Sequence, residues 1–253
     1  MTEENSQSED KNQPLIEHLI ELRSRILKSI ISVILVFLPL FYFANDLYAY
    51  ISEPLRVFIP ENSSMIATEV ASPFLTPFKL SLVLALFVAM PFVLHQVWGF
   101  IAPALYKKEK RFALPILLSS IMLFYVGIAF SFFIVFPLVF GFFTSAAPDG
   151  ITIMTDINSY LDFVLKLFFA FGIAFEIPIA TLLLIWSGAT SVENLKRKRP
   201  YVVIGCFIIG MLLTPPDIIS QILLAIPMWI LFELGILFSM LIKKPANVVD
   251  DSS

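Results

Sequence analysis

The chain has 253 residues, 58% of them hydrophobic, with a mean hydropathy of +0.87 and a formal net charge of −3. Apolar content on that scale excludes a water-soluble domain and puts the chain in a membrane, while the slightly acidic balance speaks against nucleic acid as a partner. A single cysteine, Cys206, excludes an internal disulfide, and two histidines beside it make no metal-site pattern.

Residues 1–13 are polar without an apolar period and predict a disordered, solvated tail. A membrane domain is expected over 14–242. It opens at Pro14, with Leu15, Ile16, Leu19, Ile20, Ile26 and Leu27 on one face of an interfacial helix. A first span is read at about 26–44. Residues 46–78, with four prolines, read as a structured cap outside the membrane. A second span follows at about 80–101, interrupted by Pro91. The next segment, Phe112–Phe143, has no charge over 32 residues. As a helix that is about 48 Å, against a ~30 Å hydrocarbon core, so it must tilt or project, and Pro137 is the natural place to bend. The third span is set at about 112–136.

Residues 144–159 read as a loop, and Asp162 with Lys166 as the favourable pair that starts the fourth helix, spanning about 167–187. Two short spans close the domain, about 201–214 and 218–242, joined through Pro215-Pro216-Asp217 and followed by a tail at 243–253. Of the seventeen Lys and Arg, fourteen lie in the N-terminal stretch, the 107–111 and 196–199 loops and the C-terminus. Bases collect on the cytoplasmic side, so the pattern predicts six crossings with both termini cytoplasmic in a bacterial inner membrane. The count does not separate two short crossings from a re-entrant hairpin at 201–242.

Three acidic positions invite a functional reading. Glu21 and Glu109 flank the basic clusters, and two carboxylates there suit a pair of guanidinium groups. Equally, Arg25 is a local i+4 partner for Glu21, and Glu109 a first-turn acid for the next helix. Glu176 falls near the middle of the fourth span, where a carboxyl costs ~2.5–3.5 kcal/mol and usually marks function. The alternative is a neutral carboxyl bonded to backbone freed by Pro178. Asp217 reads as a turn residue. No phosphate loop, HExxH or GxSxG appears, which argues against an enzyme and against a bound cofactor.

Several motifs are more specific: His18-Leu-Ile-Glu-Leu-Arg23, Phe100-Ile-Ala-Pro-Ala-Leu-Tyr-Lys107 with Glu109, Phe171-Gly-Ile-Ala-Phe-Glu-Ile-Pro178, and Leu213-Thr-Pro-Pro-Asp217 with Ser220-Gln221. With them the chain resembles, over about 14–242, the TatC family of the twin-arginine protein translocase. The resemblance implies an all-α integral membrane protein with six helices in a cupped arrangement. It implies a receptor for folded export cargo bearing Arg-Arg signal peptides, working Sec-independently on the proton motive force. Glu21, Glu109, Arg23 and Phe100 would then form the signal-peptide patch. Met211, Thr214 and Gln221 would meet small single-span subunits of the TatA and TatB type, and Glu176 would be the polar group of the concave face. Pro54 would belong to the first outside loop and Asp217 to the last. Self-association and contact with membrane lipid are implied too. The rival reading is a proton-coupled secondary transporter using Glu176.

Overall fold

The computed structural model describes the backbone of residues 3–56, 66–105, 113–145, 154–214 and 218–241, and the side chains of 18–52, 66–100, 114–145, 154–214 and 218–241. The tail at 243–253, Glu109 and Asp217 lie outside the described residues. Packing divides the chain into two compact units, residues 1–50 with 77–121, and residues 51–76 with 122–253.

The first unit is built on α1 (Glu3–Tyr42), the start of α2 (Ala44–Arg56), most of α3 (Ser72–Leu105) and the start of α4 (Ala113–Phe130). The α1 backbone is helical from Glu3, upstream of Pro14. It therefore runs into the polar stretch expected to be disordered, where Glu, Gln and Lys are good helix formers. From His18 to Tyr42 the helix is apolar, and Leu19, Ile20, Leu35 and Leu38 point outward, the surface a lipid-facing helix presents. Phe37 and Phe41 meet Phe78 of α3 edge-on at 5.4 and 5.7 Å. Trp98 of α3 donates its indole N–H to the Ser120 hydroxyl of α4 at 3.1 Å.

Pro91 does not interrupt α3, which is continuous from Ser72 to Leu105 and begins two turns before Leu80. A membrane helix tolerates an internal proline where neighbours satisfy the freed carbonyl, and Pro73 near the helix start needs no donor at all.

The second unit holds the larger core. Val135, Val139, Leu167, Phe171, Ala174, Cys206, Leu224, Ala225, Met228 and Leu231 form one buried cluster. They come from a π turn at Ser131–Val135, α5 (Phe136–Ser145), α6 (Ile157–Ala174), α9 (Arg199–Leu213) and α10 (Ile218–Leu241). The π turn is the irregularity expected at Pro137, moved half a turn upstream. Proline clashes with the carbonyl four residues back, at Phe133, and the turn widens so that the Phe136 N–H reaches the Ser131 carbonyl.

The fourth apolar segment also departs from the sequence reading. Helix α6 starts at Ile157, not at Asp162, because Asp156 caps it. It stops at Ala174, and α7 (Ile177–Trp186) resumes with Pro178 in its first turn. Gly188, at φ 76, follows the last residues of α7 in the left-handed region where L side chains are strained. A short α8 (Val192–Arg197), capped by Ser191, carries two bases of the 196–199 run.

Helices α9 and α10 are antiparallel. Gly210 faces Gln221, Cys206 shares a cluster with Leu224 and Ala225, and the Arg199 guanidinium pairs with Glu233 at 2.5 Å. Among the described residues, five apolar helices are long enough to cross a membrane: His18–Tyr42, Ser72–Phe100, Leu114–Ser145, Ile157–Trp186 and Ile218–Leu241. The sixth, α9, has 15 residues, or about 22 Å.

Close helix approach in the second unit depends on Gly127. A Cβ there would meet the Phe171 carbonyl oxygen at 2.5 Å and its carbon at 3.0 Å, both backbone atoms that cannot swing aside. Gly205 has nothing within 4 Å. Gly127→Ala is therefore expected to cost about 1–3 kcal/mol, read as a lowered Tm in detergent. Gly205→Ala should leave the Tm unchanged or slightly raised, because alanine is the better helix former.

Candidate functional site

The residues drawn together most tightly outside the apolar cores lie where α1 passes α3. His18, Glu21 and Arg25 follow at i, i+3 and i+7, a spacing that puts them on one helical face. The His18 ring stacks on Phe100 with centroids 4.2 Å apart and planes 19° from parallel. Arg25 donates from Nε and Nη2 to the same Glu21 oxygen, Oε1, at 2.9 and 2.6 Å. Its Nη1 reaches the Gln96 carbonyl at 3.4 Å. The guanidinium lies over Gly99, filling the place a Cβ would take.

Glu21 stays 39% exposed and Arg25 24%, so this pair is screened by water and stabilises the fold by at most about 1 kcal/mol. A groove of about 390 Å³ opens alongside, lined by Ile20, Glu21, Ser24, Arg25 and Lys28. Of the expected patch, Glu21 and Phe100 are each engaged by side chains of the same unit. Arg23 is exposed, and Glu109 is outside the described residues.

The other expected positions fall elsewhere. Glu176 occupies the break between α6 and α7. Its N–H bonds the Ile173 carbonyl at 3.0 Å, its own carbonyl receives the Ala180 N–H at 2.9 Å, and carboxyl Oε1 is buried. On α9, Met211 is exposed, whereas Thr214 is buried and turns its hydroxyl to the Gly210 carbonyl at 3.0 Å. Gln221 is half-buried and packs on Gly210. Pro54 lies in the backbone of α2.

Asp156 was missed by the sequence reading, which left it in a loop. An Asp directly before an apolar run that also carries Asn and Ser is the signal that would have found it. Its Oδ1 accepts the N–H groups of Asn158 and Ser159 at 3.0 and 2.9 Å. Its Oδ2 accepts the Thr68 N–H and hydroxyl at 3.0 and 2.7 Å. A backbone bridge beside it joins Ile66 to Asp156, and the Tyr160 hydroxyl bonds the Ile51 carbonyl of α2 at 2.9 Å. One carboxylate thus caps α6 and ties the segment before α3 to it.

Five apolar helices long enough to cross a membrane, with polar chemistry gathered at one helix face, define the class of multi-pass α-helical membrane proteins. The family model for Sec-independent protein translocase protein (TatC) matches residues 17–227. The chain is 61% identical to the TatC of Azotobacter chroococcum mcd 1 over 234 residues, 92% of each chain. It is 58% identical to that of Escherichia coli K12 over 232 residues, 92% of this chain and 90% of the relative. A crystal structure of the twin-arginine translocase receptor TatC superposes with a TM-score of 0.81 at 38% identity, covering 88% of this chain and 98% of that one. The chain belongs to the TatC family. It is a translocase component and not an enzyme, and that membership displaces the secondary-transporter reading built on Glu176.

The hydrogen bonds from Ser159 and Thr68 hold the Asp156 carboxyl well below the usual carboxylate range. A depressed acid stabilises the fold above its unfolded pKa of about 3.9, and that contribution disappears as pH falls through the folded value. Asp156→Ala should lower the Tm at pH 7 more than Asp156→Asn, which keeps an acceptor for the cap. The Tm gap between wild type and Asp156→Ala should narrow below about pH 4, as thermal unfolding in detergent across pH would show.

Proposed function

We propose that this chain is the receptor and core subunit of a twin-arginine translocase in a bacterial inner membrane, with both termini cytoplasmic. Glu21 and Glu109 receive the Arg-Arg motif of signal peptides on folded cargo, and Arg23 and Phe100 complete the patch. Small single-span subunits of the TatA and TatB type dock along α9 and the start of α10, near Met211, Thr214 and Gln221, and the proton motive force drives export. The supporting observation is that Glu21 already accepts a guanidinium through two charge-assisted bonds, the chemistry an arginine signal requires. The known relative of similar fold is itself described as a twin-arginine translocase receptor.

Replacing Glu21 or Glu109 by Ala should weaken capture of an Arg-Arg signal peptide about tenfold or more, the scale of a lost charge-assisted bond, without a matching drop in protein level. Reversal to Lys should be worse, because like charges repel. Site-specific crosslinking reads both; equal capture of Arg-Arg and Lys-Lys peptides by wild type and variants would remove the pair from the mechanism.

The short α9 supports a second element of the proposal. An apolar helix of about 22 Å beside a ~30 Å core favours local thinning of the bilayer, which lowers the barrier for cargo once partners assemble. Inserting four Leu into 201–214 should impair export while leaving signal-peptide capture intact, and unchanged export would count against thinning.

A further inference from the structure

Glu21 is not an empty receptor. Its Oε1 carries both bonds from Arg25, and among the described residues no hydrogen bond falls on Oε2. Arg25 is in turn seated by two backbone features of α3, the Gln96 carbonyl and the missing Cβ of Gly99. A salt bridge of convenience on a solvated helix would need neither. The seat holds the guanidinium against α3 while Nε and Nη2 donate to Glu21, beside the groove through which a ligand would come.

We propose that Arg25 is a built-in competitor for the signal peptide's arginine, so that recognition at Glu21 is an exchange of one guanidinium for another. The inference rests on the reading of Glu21 as part of the signal-peptide site. An incoming guanidinium meets the open Oε2 first and then takes Oε1, while Arg25 keeps the Gln96 carbonyl. Exchanging guanidinium for guanidinium conserves the number and geometry of charge-assisted bonds. A lysine ammonium offers a single point charge in place of a planar fork and recovers less.

The energetic consequence follows from linkage. Whatever Arg25 contributes by holding Glu21 must be given back by any ligand that takes its place, so Arg25 weakens every ligand by the same factor. It leaves the ratio between Arg-Arg and Lys-Lys peptides unchanged but lifts the affinity a peptide needs to be captured at all. Arg25 thereby acts as an affinity threshold that the diarginine motif clears and the dilysine motif does not.

The test is binding of two synthetic signal peptides, identical but for Arg-Arg or Lys-Lys, to the full chain in membranes. Arg25→Gln should tighten both peptides in parallel by about 2- to 5-fold, the range of a partly exposed ion pair. Arg25→Lys, which keeps the charge but grips less well, should tighten them by an intermediate amount. In a Glu21→Gln background Arg25→Gln should add nothing, since the interaction between two neighbours disappears when either is removed. Weaker or unchanged binding in Arg25→Gln would overturn the exchange. Arg25→Lys matching wild type while Arg25→Gln tightens would also overturn it, because charge repulsion rather than the grip on Glu21 would then be responsible. Wild-type binding by Glu21→Gln alone would instead sink the site reading beneath it. Loss of binding in Glu21→Gln with no gain in the Arg25 variants would sink only the exchange.

Discussion

Every backbone polar group in the hydrocarbon must find its partner inside the protein. That constraint makes the chain helical and explains how it treats its prolines. Pro91 is carried inside a continuous α3, with no change of helix type. Pro137 forces a π turn, in which the Phe136 N–H reaches back to Ser131. Before Pro178 the regular ladder lapses over Phe175 and Glu176, both still in the right-handed helical region, and the Ile173 and Glu176 backbone groups carry α6 into α7. The same residue type thus yields three outcomes. The break before Pro178 is also where this apolar segment carries its carboxyl, so Glu176 sits beside a carbonyl that the proline cannot serve.

Polar groups at the margins obey the complementary rule that charge is kept only where it is paired or wet. Arg25 does both, bonded to Glu21 and Gln96 yet a quarter exposed. Asp156 is half-buried and fully used, with four donors on two oxygens. Neither has to be buried to be structurally specific. What fixes each is a backbone feature of a second segment: the bare Cα of Gly99 for Arg25, and the Thr68 N–H next to the Ile66 bridge for Asp156.

Hydropathy and charge were enough to recover the class of fold, and the family motifs enough to recover the translocase. The apolar runs report their own lengths, and a mean hydropathy of +0.87 leaves no other solvent for them. Helix edges were harder to read. Asp162–Lys166 looked like a start because ion pairs stand out in an apolar run, yet Asp156, six residues earlier, supplies the cap. The partnership of Arg25 with Glu21 was visible as an i+4 spacing. Its seat was not, since nothing in the spacing of Gln96 and Gly99 says which helix they will face. The Arg199–Glu233 pair was hidden for the same reason, separated by 34 residues and joined only by the fold.

That pair also fixes how the last two helices, of unequal length, lie side by side. Helix α10 has 24 residues and could span about 36 Å unaided, so its length alone does not thin a bilayer. But Arg199 at the start of α9 is bonded to Glu233, eight residues before α10 ends. With Arg199 45% exposed, both charges belong near the polar edge. The stretch the two helices share between these charges is then about 15 residues, or about 22 Å, on either arm of the hairpin, with Ser220 and Gln221 its polar exceptions on α10. Beyond Glu233 one side of the helix is covered by protein, while Leu234, Leu237, Phe238, Met240 and Leu241 stay exposed. Gly235 meets Pro178 and Thr181 of α7, and Phe232 and Ile236 cluster with Leu195 of α8. The last turns of α10 therefore carry an apolar face past the ion pair, and of the two helices only α9 is shorter than a ~30 Å hydrocarbon core.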